Sequence, residues 1–302
     1  MFKKIKRYIK DPYYALGHDM IKKCPKLMPD KYYLSVLWRI GMGYELDWKH
    51  PQAFNEKLQW LKLHDRKPLY TTLVDKYRVK QWVAETIGEQ YVIPTLAVYK
   101  TVDEIDLDKL PDQFVLKCNH DSGSVVICRD KSTFDLEAAK KKLDKGLKHN
   151  FYWDTREWPY KNVKRCVIAE KYIQDFEDGG LVDYKFFCFD GMVDCVMVCL
   201  DRHIKQPKFY FFDKNWNLKR LNIRGKKAPD DFTIPMPKGL DKMFELASIL
   251  SKGIPFVRVD LYDIAGDIRF GEMTFYPDGG LDSNILPETD LYFGSLMRTE
   301  SK

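Results

Sequence analysis

Arg258, Asp260, Glu272 and Thr274 have the types and spacing to do chemistry. They lie in residues 255–280, which read as a hairpin with strands over 256–262 and 268–275 and a turn over 263–267. Strand alternation puts Arg258 and Asp260 on one face of the first strand, with Val257, Val259 and Leu261 on the other. In the second strand Glu272 and Thr274 share a face, opposite Met273 and Phe275. Two carboxylates facing each other across a hairpin repel unless positive charge lies between them. Magnesium is the simplest such charge, because hard oxygen ligands suit it. The adjacent arginine suits a metal that arrives with phosphate. A polar hairpin face with a salt bridge from Arg258 accounts for the same residues equally well.

Two lysines sit inside apolar strand-like runs, where an ammonium is costly unless it meets an anion or reaches water. Lys117 follows Phe114, Val115 and Leu116, and soon after it comes a small polar turn containing Ser122, Gly123 and Ser124. Backbone N–H groups of such turns can form an anion nest, so the pair reads as a phosphate grip. A plain hairpin turn, with Lys117 reaching solvent, is the other reading. Lys185 lies between Tyr184 and Phe186 and points opposite to them. It could reach a phosphate, or pair with Asp183 on its own face. Glu170, Lys171, Tyr172 and Ile173 follow three apolar residues. Backbone groups left unpaired at such a strand end could read an adenine edge, with Asp175 or Glu177 holding a ribose hydroxyl; an ordinary strand leaving the core explains them too. The histidines, His120 and His203 among them, make no metal-ligand spacing. A nucleophilic pairing of Cys118 or Cys128 with His120 stays open, although nothing marks either thiol as activated.

The elements that must position these groups follow from periodicity. Residues 30–66 read as helical and aromatic, with a helix starting near Asn55. A second helix is expected over 75–87, stopped by Gly88, and residues 91–94 read as a short strand or linker. From Phe114 the pattern changes to strands over 114–119 and 125–128, a lysine-rich helix over 134–147, and a strand over 167–173. Strands over 184–189, 193–200 and 209–212 and a helix over 240–250 precede the hairpin. The order is a helical region, a small α+β unit and a larger antiparallel α+β unit.

Composition bounds the partners. The chain has 302 residues, 45% hydrophobic, enough to bury one large or two to three small domains. A formal net charge of +6 suits an anionic small molecule or an anionic surface. With no ribonucleoprotein aromatic motif and no zinc-finger spacing, nucleic acid is not an expected partner. The seven cysteines include no CxxC pair. Their odd number and the lack of a secretory signal point to a reducing cytoplasm. No apolar stretch is long enough to span a bilayer. Lys3, Lys4, Lys6, Arg7 and Lys10 surround Phe2, Ile5 and Ile9 at helical spacing. Peripheral contact with the inner membrane surface is one expectation for this segment, and an ordinary solvated basic helix the other.

Taken in order, these pieces resemble the ATP-grasp superfamily, and more closely its TupA-like family, named for teichuronopeptide biosynthesis. The resemblance rests on residues 54–61 (FNEKLQWL), 75–77 (DKY), 114–120 (FVLKCNH), 122–124 (SGS), 170–172 (EKY), 183–186 (DYKF), 258–260 (RVD) and 272–275 (EMTF). It implies an α+β ATP-grasp fold with two lobes enclosing ATP: a helical N-terminal region over 1–66, a pre-grasp segment over 67–113, a small lobe over 114–175 and a large lobe with the metal site over 176–302. Lys117 would hold the α- and β-phosphates, with Ser122, Gly123 and Ser124 as a flexible loop over them. Glu170, Lys171, Tyr172 and Ile173 would form the adenine-binding hinge, Glu177 would bind the nucleotide, and Lys185 would add a further nucleotide contact. Asp260 and Glu272 would coordinate Mg²⁺, and Arg258 would steady the acyl phosphate or γ-phosphate. Many ATP-grasp enzymes carry Asn where Thr274 stands, which leaves metal ligation by its hydroxyl open. The implied activity is an ADP-forming ligase that joins a small-molecule or glycan carboxylate to an amine through an acyl phosphate, in a cell-envelope polymer context. A glycosyltransferase, for which Asp106 and Asp108 supply an Asp-x-Asp, and an inactive nucleotide-binding scaffold are the rival readings.

Overall fold

The computed structural model describes residues 12–173, 182–200 and 207–298. The basic segment over residues 2–10, and with it the proposed membrane contact, lies outside the described residues, as do Asp175, Glu177 and His203. The first part of the chain is helical: α1 (Pro12–Lys23), α2 (Asp30–Met42), α3 (Phe54–His64), α4 (Pro68–Val74) and α5 (Val79–Ile87). The helix expected over 75–87 is shorter, because Asp75 breaks the run. Its carboxylate accepts the N–H groups of Tyr77 and Arg78 and the side-chain amide of Asn119. An Asp that caps the following turn in this way competes with helix continuation. The chain between α4 and α5 is therefore pinned to the end of a strand, with the N–H of Lys76 donating to the Asn119 carbonyl at 2.8 Å.

The small lobe is a four-stranded antiparallel sheet in the order β1-β4-β2-β3, from β1 (Thr95–Tyr99), β2 (Phe114–Cys118), β3 (Val126–Cys128) and β4 (Val167–Lys171). The first strand starts just past Pro94, beyond the stretch expected to be strand or linker. Tyr172 and Ile173 fall beyond the end of β4. Helix α6 (Leu136–Lys148) covers one sheet face, packing Leu143 on Phe114, Leu116, Cys118, Val167 and Ala169. A short helix α7 (Tyr152–Thr155) leads back toward the helical region.

The large lobe is a six-stranded antiparallel sheet in the order β10-β9-β5-β6-β7-β8. Its strands are β5 (Asp183–Phe189), β6 (Met192–Leu200), β7 (Lys208–Phe212), β8 (Leu218–Lys219), β9 (Val257–Ile264) and β10 (Asp267–Thr274), with α8 (Ile223–Lys226), α9 (Leu240–Ser251) and α10 (Pro287–Leu296) around them. Alternation sorts the core. Phe186 faces α9, with its ring 5.1 Å from that of Phe244, while Phe187 and Phe189 face the other way and meet Phe54 of α3 and Phe293 of α10. Apolar contact thus fills both faces, except where β5, β9 and β10 carry charge.

Polar residues of α3 hold the layers together. Asn55 bonds to Asp290 and to the Asp282 carbonyl, Lys57 donates to the carbonyls of Gly294 and Met297, and Gln59 and Lys62 both donate to the Gly279 carbonyl. These side chains, three from the 54–61 run and Lys62 just past it, latch α3 to the segment that follows the hairpin. Among the described residues no helix is long and apolar enough to cross a membrane.

The hairpin is tighter than the alternation suggested. Asp263 and Asp267 belong to its strands, and the loop is only Ala265 and Gly266, with φ of 55° and 102°. Positive φ at both loop positions is the turn whose twist matches an antiparallel pair. Asp263 secures it by accepting the N–H of Gly266. A register shift follows between Phe270 and Glu272. The residue passed over is Gly271, where a Cβ would stand 3.0 Å from the Asp260 carbonyl oxygen and 3.1 Å from the Tyr262 ring. The bulge re-aims the strand, so that Glu272 pairs with Asp260 and Thr274 with Arg258.

Candidate active site

The structure brings Arg258, Asp260, Glu272, Thr274 and Lys185 onto one face of β5, β9 and β10, with Lys185 in register with Asp260. Arg258 grips Asp260 with two N–H groups, each 2.7 Å from a carboxylate oxygen. It also lies 3.6 Å from Glu272 and donates to the Thr274 hydroxyl at 3.1 Å. Lys185 pairs with Asp260 at 2.5 Å and with Asp183 at 3.4 Å, the second being the same-face pairing expected from the sequence. Thr274 supports the guanidinium here. Its hydroxyl oxygen accepts from Arg258, which gives it a positioning part alongside the question of metal ligation.

Lys76 completes the cluster, and sequence reading did not single it out. Its ammonium is largely buried, 3.0 Å from Glu272 and 2.8 Å from the Asp121 carbonyl. It therefore ties the small-lobe turn to the large-lobe carboxylate. Partial burial raises the carboxyl of Glu272, but Lys76, Arg258 and Lys185 outweigh it and hold the group well below the usual carboxylate range. Asp183, Asp260 and Glu272 then face Lys76, Lys185 and Arg258, three negative charges against three positive. The signal that could have found Lys76 is the DKY run over 75–77, whose aspartate turns the chain so that the lysine leaves both helices.

In the small lobe Lys117 sits on the sheet face opposite α6. It pairs with the buried carboxylate of Glu170 at 2.5 Å, and Lys80 of α5 reaches the same carboxylate at 2.6 Å. Burial opposes the charge of Glu170, and the two ammonium groups more than offset it, so its carboxyl is lowered. Lys80 also donates to Thr95 and to the Ile93 carbonyl. The same face carries Val98 and Ile168 beside Lys117, and Val115 and Ile127 beside Glu170. Val98 and Ile127 are 40% and 49% exposed, an open apolar surface next to cations. Glu170 thus points its carboxylate at lysines, while Lys171 is exposed at the strand end with its N–H on the Pro94 carbonyl, and the Tyr172 hydroxyl accepts from Arg129 at 3.4 Å.

The turn over 121–124 is only partly free. Ser122 and Gly123 are exposed, and a Cβ on Gly123 would meet nothing within 4 Å. Ser124 is buried, and its hydroxyl donates to Asp121. It packs where only Gly146 of α6 leaves room. Of the three residues expected in a loop over the phosphates, Ser122 and Gly123 are exposed and Ser124 is not.

The residues of two rival readings make local contacts. The Cys118 thiol is pushed up to about 11 by burial, Cys128 is also raised by burial, and the His120 ring is buried with Nε2 against the His149 carbonyl. Burial disfavours the thiolate form of both. Asp106 of the Asp-x-Asp caps a short turn, accepting the Asp108 N–H at 3.0 Å and pairing with Lys109.

The donor chemistry fits magnesium nucleotide. Among the described residues no three His, Cys, Asp or Glu side chains gather for a metal by themselves. Two carboxylates suit Mg²⁺, which binds few protein oxygens and completes its shell with phosphate and water. Lys76 and Lys117 would meet phosphate, and the exposed apolar strand face would meet a planar base.

Among solved structures, the chain is similar to D-alanine–D-alanine ligase from Bacillus anthracis complexed with ATP (17% identity, 93% of this chain and 80% of that one, TM-score 0.43) and to D-cycloserine synthetase DcsG (17%, 76% and 70%, TM-score 0.42). It also matches the ATP-grasp ligase PsnB complexed with minimal precursor at 9% identity and TM-score 0.37, covering 69% of this chain and about half, 54%, of that one. No curated protein matches. The model of the TupA-like ATPgrasp family matches residues 56–298, a span that holds both lobes and every charged group of the cluster, and the chain belongs to that family.

Proposed function

We propose that this protein is an ATP-dependent, ADP-forming ligase that joins a carboxylate to an amine through an acyl phosphate. The observation that carries the reading is Lys76, which joins the Asp121 carbonyl of one lobe to Glu272 of the other. Lys117, Lys76, Lys185 and Arg258 thereby line one seam between the lobes, with two carboxylates among them. When bound, magnesium would neutralise phosphate charge. Asp260 and Glu272 would hold it. Lys117, fixed by Glu170, would bind the inner phosphates, with the N–H groups of Ser122 and Gly123 closing over them. Arg258, held by Thr274, would orient the carboxylate substrate beside the transferred phosphoryl group. Positioning of this kind supplies most of the catalysis in phosphoryl transfer.

The finer reading includes a cell-envelope polymer context in the cytoplasm, with an amino acid or peptide joined to a uronic acid or another amino acid. Its support is the family membership and the cationic seam. The test is incubation with Mg²⁺-ATP and a panel of amino acids and uronic acids, following ADP, AMP and phosphate. ADP release that depends on the acceptor supports the ligase, and Lys117→Ala should then weaken ATP binding. Turnover of nucleotide sugars without ATP use would sink it.

A further inference from the structure

A cleft of 520 Å³ opens on the large lobe between β7, α8 and Asn284. It shares no lining residue with the carboxylate cluster. Pro207, Phe209 and Pro229 give it flat apolar walls, and Arg224 and Lys227 stand at its rim. Both cations are exposed, and among the described residues no acidic partner is within ion-pair distance of either. Two acids of the surrounding segments are engaged elsewhere: Asp230 with Arg220 at 2.8 Å and Glu288 with Lys226 at 3.4 Å.

The loop that carries these cations is built to present donors. Arg220 donates to the carbonyls of Gly225 at 2.9 Å, Ala228 at 2.7 Å and Pro229 at 3.2 Å. The carbonyls of Asn222, Ile223 and Arg224 accept from the N–H groups of Lys226 and Lys227. Asn222 closes the loop, its side chain donating to the Phe209 carbonyl and accepting the Gly225 N–H. With those acceptors consumed internally, the polar side chains that line the cleft include those of Arg224, Lys227 and Asn284. Such a surface selects a ligand rich in acceptors and anionic. Flat apolar walls and an amide suit the C–H face and hydroxyls of a sugar ring, and the volume lies within the usual range for small-molecule sites.

We propose that this cleft binds a carboxylate- or phosphate-bearing sugar unit. The cleft lies on β7 and α8, with β6 and β5 between it and the carboxylate cluster on β9 and β10, so the unit it holds is a part of a substrate that does not itself react, a link that rests on the proposed function; the binding itself does not.

The test is calorimetric titration of the full chain, without ATP, using a galacturonic acid trisaccharide, its neutral galactose counterpart, galactose 6-phosphate and a triglutamate peptide. The acidic trisaccharide or the sugar phosphate should bind, the two arms telling carboxylate from phosphate, while the neutral sugar should not. Arg224→Glu with Lys227→Glu should weaken that binding about tenfold or more, the loss of two charge-assisted contacts. The same variant should keep its thermal midpoint and its Mg²⁺-ATP affinity, which reports on the seam separately. Equal binding by the variant, no binding of either anionic sugar by the wild type, or triglutamate binding as tightly as the sugars would each overturn the proposal.

Discussion

Replacing Lys76 by methionine separates two jobs that one ammonium performs. In this structure Lys76 neutralises Glu272 from 3.0 Å and holds the Asp121 carbonyl at 2.8 Å. Breaking a buried pair costs about 3–5 kcal/mol. Glu272 is 32% exposed, so solvent screening reduces the expected loss to about 1–3 kcal/mol. For a chain of this length that is a fall of about 2–5 °C in thermal midpoint. The second effect has the opposite sign. Asp260 and Glu272 are occupied by Lys185, Arg258 and Lys76, so a metal without nucleotide must compete with three fixed cations. A unit charge 3.0 Å away contributes about 5 kcal/mol at an effective dielectric of 20, and partial exposure leaves about 1–2 kcal/mol of that. Lys76→Met should therefore bind Mg²⁺ alone about 5- to 30-fold more tightly than wild type. On the proposed function it should also bind ATP more weakly, because Lys76 would meet phosphate. Titrations with Mg²⁺ or Mn²⁺ alone and with nucleotide measure the two affinities on one variant. Unchanged or weaker metal binding would refute the reasoning that this lysine holds the place of the metal.

Three more outcomes follow from the same geometry. Glu170→Gln leaves Lys117 and Lys80 without their shared carboxylate, so it should lower stability by about 2–4 kcal/mol in denaturant unfolding. Glu170 and Glu272 are both held below the usual carboxylate value, so each adds stability above the unfolded-state value near pH ~4.3. That stability is lost as pH falls through this value toward the folded ones, and Glu272→Gln should flatten the acid limb of a midpoint-versus-pH curve; an unchanged limb would count against the ion pairs. Gly271→Val forces a branched side chain against the Asp260 carbonyl and the Tyr262 ring and should cost about 1–3 kcal/mol. It should also reduce nucleotide-dependent metal binding, because Glu272 loses its aim, whereas normal metal binding in a folded variant would show that the bulge does not set the site.

Much of the fold was legible because local rules agree with it. Phe114 to Lys117 alternates as a strand with one face in the core, and Leu240 to Leu250 has the spacing of a one-sided helix; both formed within two residues of expectation. The elements that escaped were those whose ends are set by distant partners. Asp75 interrupts a helical pattern because Asn119 holds it, and β1 forms because it adds to the edge of β4.

The candidate site divides in the same way. Residue type and alternation alone placed Arg258 beside Asp260, put Glu272 with Thr274, and marked Lys117 and Lys185 as lysines needing an anion. Alternation cannot say which face of a second strand meets which face of the first. Without the register shift at Gly271, Glu272 would lie opposite Val259 on the core side. The bulge moves it opposite Asp260. That choice goes with a close backbone approach at Gly271 that a Cβ would crowd, and with Lys76 arriving from another part of the chain to neutralise the carboxylates it brings together. Local chemistry could name the carboxylates and cations; only packing between α4, α5 and the two sheets could decide that they meet.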